Sequence, residues 1–195
     1  MKLFLPLLLF TFSFFTSFAQ DKPEGLFINS KAPDFKGKDQ NGKEISLKDL
    51  RKKGPVVIVF YRGFWCPYCN KELSHFQDSL QYLTAKGAQV IAISPENAEG
   101  ILKTVEKTKA SFSILSDKDM KIAKGYGVSF AVDEKTIARY KNAGIDLLAN
   151  NDQKDKASLP VPAVYIINKD GAITFRYFDA DYRKRVSVKD ILQEL

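Results

Sequence analysis

The chain has 195 residues, with 30 Lys and Arg against 23 Asp and Glu, a formal net charge of +7, 45% hydrophobic and 27% charged residues. That length and composition suit one globular domain and exclude a disordered chain, a collagen-like repeat and a coiled coil. Two cysteines and one histidine exclude a disulfide-stapled mini-protein and argue against a four-ligand structural zinc site.

The N-terminus reads as a leader. Lys2 supplies a positive start, and Leu3 to Phe15 is apolar apart from Pro6, Thr11 and Ser13. The small residues Ser17 and Ala19 follow, two positions apart. This is the layout of a secretory signal peptide over 1–19, cleaved after Ala19, with one domain over 20–195. The apolar run is short for a bilayer span. The expectation is therefore an exported protein, periplasmic or secreted, with no stable membrane anchor after cleavage.

Alternating strands and helices follow, with no internal repeat. Asn41-Gly42 between Asp34–Lys38 and Lys43–Leu47 predicts a hairpin turn. Val56-Val57-Ile58-Val59-Phe60 has the length and continuous apolar character of a buried central strand. From Cys69 onward the residues Cys69, Leu73, Phe76, Leu80 and Leu83 fall on one helical stripe that Gly87 closes. Gln89–Ile93 is a second buried strand. Ser94-Pro95-Glu96 predicts a helix start, and the helix continues to about Thr108.

Phe112–Leu115 is a third, short strand, and Met120–Tyr126 a short helix. A helix is expected over Asp133–Asn142, then a polar loop to Leu159. Val164–Ile167 and Ala172–Phe175 form a hairpin across Lys169-Asp170-Gly171. Ser187 caps a final helix to Leu195. The order gives an α/β sandwich with a mixed sheet. The clusters Arg51-Lys52-Lys53 and Arg183-Lys184-Arg185 lack the aromatic interleaving of a stacking platform. They read as solvated charge, and no nucleic-acid partner is expected.

Chemistry concentrates in Phe60-Tyr61-Arg62-Gly63-Phe64-Trp65-Cys66-Pro67-Tyr68-Cys69, which joins the central strand to the amphipathic helix. A disulfide across a four-residue loop restrains little chain, so the Cys66/Cys69 pair is poor as a staple and good as a redox switch. A thiol at a helix N-terminus meets free backbone N–H groups and the positive end of the dipole, and both favour thiolate. Arg62 adds positive charge if it points inward.

Trp65-Cys66-Pro67-Tyr68-Cys69 together with Leu159-Pro160-Val161-Pro162 resembles the thioredoxin fold, a three-layer α/β/α sandwich with a central mixed β-sheet. A further set is similar to the peroxiredoxin-like branch of the alkyl hydroperoxide reductase/thiol-specific antioxidant (AhpC/TSA) family. That set is Ala32-Pro33-Asp34-Phe35, the phrase Tyr61 to Cys69, Leu115-Ser116-Asp117, Ile145-Asp146-Leu147 and Asp181-Tyr182-Arg183. The resemblance implies a cis-proline at Pro162 facing the cysteines. It also implies a thiol-dependent peroxidase that acts on hydroperoxides and is reset by an external, thioredoxin-like dithiol. Against the family pattern Pro-x-x-x-Thr-x-x-Cys, Cys69 takes the peroxidatic position, Cys66 the Thr position and Arg62 the Pro position. The family's distant arginine falls on Pro162.

Two assignments of the sulfurs stay open. Either Cys69 attacks a hydroperoxide and Cys66 resolves the sulfenic acid, or Cys66 is an exposed attacking thiol, Cys69 the buried resolving one, and a protein disulfide the substrate. A third reading is a binding module whose pair merely sits oxidised. The candidate site is Cys69, Cys66, Arg62 and Pro162. His75 lies off the apolar stripe and is expected to be exposed. Glu72 sits where the family often has a carboxylate, but it reads first as an ordinary first-turn charge favoured by the dipole. Trp65 and Tyr68 either shape a substrate face or cover the core edge. No metal, nucleotide or flavin motif is present, so no cofactor is expected.

Overall fold

Asp39 holds the first turn of the fold: its carboxylate accepts from the backbone N–H of Asn41 and Lys43, while Gly42 takes a positive φ of 76°. The turn joins β1 (Lys36–Lys38) to β2 (Glu44–Ser46) in the antiparallel pair the sequence predicts. The architecture is that of a computed structural model, which describes residues 22–195. The leader expected over 1–19 lies outside the described residues.

Ser46 caps α1 (Leu47–Lys53) by accepting from Asp49 N. β3 (Val56–Phe60) follows and is buried along its whole length. Next come α2 (Pro67–Asp78), α3 (Leu80–Ala85), β4 (Gln89–Ser94), α4 (Ala98–Thr108), β5 (Ser113–Ser116) and α5 (Lys121–Gly125). After β6 (Ser129–Ala131) lie α6 (Glu134–Asn142), α7 (Leu147–Asn150), β7 (Ser158–Pro160), β8 (Ala163–Ile167), β9 (Ile173–Phe178) and α8 (Val188–Gln193).

The main sheet has the order β5-β4-β3-β8-β9. β3, β4 and β5 run parallel, and β8 and β9 are antiparallel to their neighbours. Alternate residues of β3 serve opposite faces, as a strand's period of two requires. Val56, Ile58 and Phe60 pack with Leu47 of α1, Ala123 of α5 and Tyr126. Val57 and Val59 pack with Cys69, Leu73 and Phe76 of α2, Leu83 of α3, Ile101 of α4 and Ile191 of α8. The result is the expected three-layer α/β/α sandwich with a mixed sheet. No helix among the described residues is long and apolar enough to cross a membrane.

Several expectations are corrected. The stripe from Cys69 to Leu83 belongs to two helices that break at Ser79 and keep a common buried face, so periodicity alone could not show the break. Helix α4 starts at Ala98 with Asn97 as its cap, two residues beyond Glu96, whose side chain turns into the protein. The stretch after Asn142 is not simply a loop. It carries α7, capped by Asp146, and β7, which pairs antiparallel with β6. There is no cis peptide bond among the described residues, so Pro162 is joined in trans. Pro162 is buried and precedes Ala163, the register partner of Phe60, which places it beside the C-terminal end of β3.

Gly54 and Gly87 mark a close crossing ahead of β3 and β4. A Cβ on Gly54 would run into the carbonyl oxygen of Gly87, and backbone cannot swing aside as a flexible side chain does. Gly54→Ala is expected to lower stability by about 1–3 kcal/mol, the usual cost of overpacking, read from urea unfolding midpoints.

Candidate active site

The chain leaves β3 at Phe60 and turns through Tyr61–Trp65 before α2 begins at Pro67. Proline suits that first helical position because its missing N–H would be unpaired there in any case. Cys66 is the N-cap: its Sγ accepts from Cys69 N at 3.4 Å. The sequence places a thiol at a helix N-terminus, and the structure makes that sulfur Cys66.

Arg62 points inward. Its Nη2 donates to Cys66 Sγ at 3.2 Å and its Nη1 to the Tyr140 hydroxyl at 3.0 Å. The guanidinium lies 3.7 Å from the centroid of the Tyr182 ring and 5.1 Å from that of Trp65. Tyr68 meets Tyr182 edge to face. Tyr182 therefore covers Arg62, and Arg62 covers Cys66. This stack explains why Cys66 is fully buried, against the expectation of an exposed attacking thiol. Tyr68 and Tyr182 are exposed by 41% and 39% and form the outer rim.

The two sulfurs are electrostatically unequal. The Cys69 thiol's hydrogen bond, then the Arg62 charge and hydrogen bond, outweigh burial and hold Cys66 down to about 6. Burial first, then the neighbouring Cys66 sulfur, push Cys69 well above the ordinary thiol range. Both cysteines are free thiols. At neutral pH the pair is one thiolate, Cys66, beside one thiol, Cys69.

A second basic group reaches the other sulfur. Arg185 Nη2 approaches Cys69 Sγ at 3.6 Å, and Arg185 Nε pairs with Glu72 Oε2 at 2.7 Å. Arg185 and Glu72 keep only 13% and 4% side-chain exposure, so the solvated reading of the 183–185 cluster fails at Arg185. It holds for Arg183 and Lys184, which pair with Asp181 and Asp179 at the surface. Glu72 is not the first-turn charge expected either: it is the sixth residue of α2, one turn further on, and buried. Burial raises its carboxyl to about 7 in spite of Arg185.

The folded protein therefore binds the Glu72 proton more tightly than the unfolded chain does. The stability this gives is complete below about pH 4.5 and is lost as pH rises through about 7. Glu72→Gln is expected to flatten that decline, measured as urea midpoints from pH 4 to 8.

His75 is exposed, as its helical phase indicates. Trp65 joins two clusters, the α2 face of the sheet and the small core of Val132, Leu147, Ala157 and Leu159. Tyr140, Tyr182, Arg185 and Glu96 are the site residues that sequence reasoning missed. Tyr182 stood within a matched phrase, the one signal that could have marked it.

The AhpC/TSA family model matches residues 28–176. A chloroplastic peroxiredoxin Q of Sedum lineare is 34% identical over 127 residues, covering 63% of this chain and 68% of its own length. The peroxiredoxin Q of Oryza sativa subsp. japonica is 30% identical over 148 residues, 76% of this chain and 57% of its own. The thiol-disulfide oxidoreductase ResA of Bacillus anthracis is 33% identical over 129 residues, 63% and 73%.

Among solved structures, a peroxidoxin from Mycobacterium tuberculosis superposes with a TM-score of 0.65 at 22% identity, covering 86% of this chain and 94% of its own. The thioredoxin domain of a thiol-disulfide oxidoreductase from Bacteroides vulgatus gives 0.56 at 19% identity, with 81% and 93% covered. These superpositions show the thioredoxin fold.

Proposed function

The chain belongs to the AhpC/TSA family, and on that premise we propose that it is a thiol-dependent peroxidase whose Cys66 and Cys69 cycle between dithiol and disulfide. The observation that carries the reading is the buried Arg62 Nη2 to Cys66 Sγ contact of 3.2 Å, which keeps a thiolate ready in a closed site.

The Cys66 thiolate attacks the outer oxygen of a hydroperoxide. The O–O bond breaks, Cys66 becomes a sulfenic acid, and the leaving alkoxide or hydroxide takes a proton. Cys69 then attacks Cys66, the S–O bond breaks, and the hydroxide leaves as water with the Cys69 proton. A Cys66–Cys69 disulfide remains. An external dithiol of the thioredoxin type restores the pair. Arg185 beside Cys69 stabilises negative charge on that sulfur as it loses its proton. Arg62 Nε is buried without a hydrogen-bond partner, and a peroxide oxygen bound beside Cys66 would supply one.

Full burial of Cys66 favours a small substrate, since a protein disulfide reaches the sulfur only after Tyr182 and Arg62 move. The second reading, a thiol-disulfide oxidoreductase, is supported by the acidic Cys66 and the raised Cys69, an order suited to disulfide exchange. The likeness to ResA favours it too. Export, with the 1–19 leader removed, is part of the proposal and rests on the sequence layout alone.

The two readings separate in a turnover assay with dithiothreitol as reductant. The peroxidase reading predicts sustained consumption of hydrogen peroxide and slow reduction of insulin disulfides. Fast insulin reduction without peroxide consumption would replace it with the second reading.

A further inference from the structure

Glu96 is fully buried, yet it belongs to no helix or strand and touches neither sulfur. Its Oε2 accepts from the Tyr61 hydroxyl at 2.7 Å and from Thr104 Oγ1 at 3.0 Å, and its Oε1 from Phe64 N at 2.5 Å. Its own backbone is fixed at both ends. Glu96 N donates to Ser94 Oγ, and Glu96 O accepts from Ser116 Oγ. Burial raises the Glu96 carboxyl above the ordinary range, and all three partners of its side chain are donors that act against this and favour the carboxylate. Tyr61 is held as the protonated donor, because burial and then the Glu96 charge raise its hydroxyl well above the ordinary range.

Tyr61 and Phe64 flank Arg62 and Gly63. A carboxylate bonded to both therefore clamps the two ends of the turn that carries the Arg62 side chain to Cys66. The rest of the turn is secured around this point. Phe64 O accepts from Asn70 Nδ2 and Lys107 Nζ, and Cys66 N donates to Gly63 O at 2.9 Å. Helix α4 approaches closely at Gly100, where a Cβ would lie 3.1 Å from both Glu96 Cβ and Oε1. The glycine leaves the room that lets Oε1 point at Phe64.

We propose that Glu96 is a positioning residue for the redox pair: by clamping Tyr61 and Phe64 it holds the Arg62 guanidinium on the Cys66 sulfur and so keeps that sulfur a thiolate. The inference rests on the Arg62–Cys66 reading above. It carries a sign that separates it from a simple field effect. Deleting a negative charge at a distance would make Cys66 more acidic. Loosening the clamp makes it less acidic, because Arg62 no longer sits on the sulfur.

The test is the pH dependence of Cys66 alkylation by iodoacetamide in the reduced full chain, with the labelled residue identified by peptide mass spectrometry. The charged and titratable groups around the pair are Arg62, Cys69, Glu72 and Arg185, and all stay intact in the two variants. Glu96→Gln keeps the shape but puts an amide N–H2 where Oε2 accepts from the Tyr61 and Thr104 hydroxyls, so the charge-assisted bond that fixes Tyr61 is lost. Gly100→Ala gains helix propensity while pressing on Glu96 Oε1, so it reports even if Glu96→Gln fails to fold.

Each variant is expected to raise the Cys66 midpoint by roughly one unit, cutting its labelling several-fold at pH 5.5. A folded variant of either kind with an unchanged or lowered midpoint overturns the inference. Arg62→Met is run alongside. If it too leaves the midpoint unchanged, the Arg62–thiolate reading itself falls. If it raises the midpoint while the Glu96 and Gly100 variants do not, only the role of Glu96 falls.

Discussion

Replacing Arg62 by Met is expected to slow oxidation of the reduced protein by one equivalent of hydrogen peroxide by roughly 30-fold at pH 7. The figure follows from thiolate content: a thiol at about 6 is mostly ionised at pH 7, and one returned to an ordinary value near 8.5 is only about 3% ionised. Burial acts against the thiolate in this site, and in Arg62→Met the Cys69 hydrogen bond alone still opposes it, so about 30-fold is the upper bound. Met has a similar length and no charge, so the loss reports charge more than shape. Arg62→Lys is expected to recover part of the rate. Lysine restores a cation but not the flat guanidinium that lies under the Tyr182 ring and donates to Tyr140. Stopped-flow thiol loss across pH 5 to 9 gives both the rate and the shifted midpoint.

Exchanging the cysteines one at a time is expected to give opposite results. Cys66→Ser removes the thiolate and leaves Cys69, whose thiol burial holds well above the ordinary range. The rate at pH 7 falls at least about 30-fold, since even an ordinary thiol is only about 3% ionised there. Cys69→Ser behaves differently. A serine hydroxyl still donates to Cys66 Sγ, and Arg62 is untouched, so Cys66 stays acidic and oxidises once at nearly the full rate. Turnover then stops, because no second sulfur closes the disulfide. Quantifying free thiols and sulfenic acid after a single exposure distinguishes the two variants.

The parts of this molecule that local pattern specifies were legible in the sequence. The Asn41-Gly42 turn, the apolar run of β3, the CxxC at a strand-to-helix junction and the Ser187 cap each depend on a few adjacent residues, and each appears where its pattern places it. The parts set by distant partners were not. Glu96 follows Ser94-Pro95 and looks like a first-turn carboxylate. Its burial is decided by Tyr61, 35 positions away. Arg185 sits in a basic triplet, and its neighbours stay in solvent while it crosses to Glu72, 113 positions away. The β6–β7 pair is two three-residue strands from well-separated segments, too short for alternation to show. The resemblance to family members placed Cys69 in the attacking position. The proposed function gives that role to Cys66, because Arg62, standing where the family has a proline, donates to the sulfur four residues on.

The central claim is that Cys66 is the sulfur that attacks. Its most direct measurement is to treat the reduced Cys69→Ser protein with one equivalent of hydrogen peroxide in the presence of dimedone, across pH 5 to 9, and to locate the adduct by peptide mass spectrometry. The account predicts a sulfenic acid adduct on Cys66 that forms faster than on a free thiol, with a midpoint near pH 6. Oxidation no faster than a free thiol, or rapid oxidation that survives in Cys66→Ser with the adduct on Cys69, would contradict it.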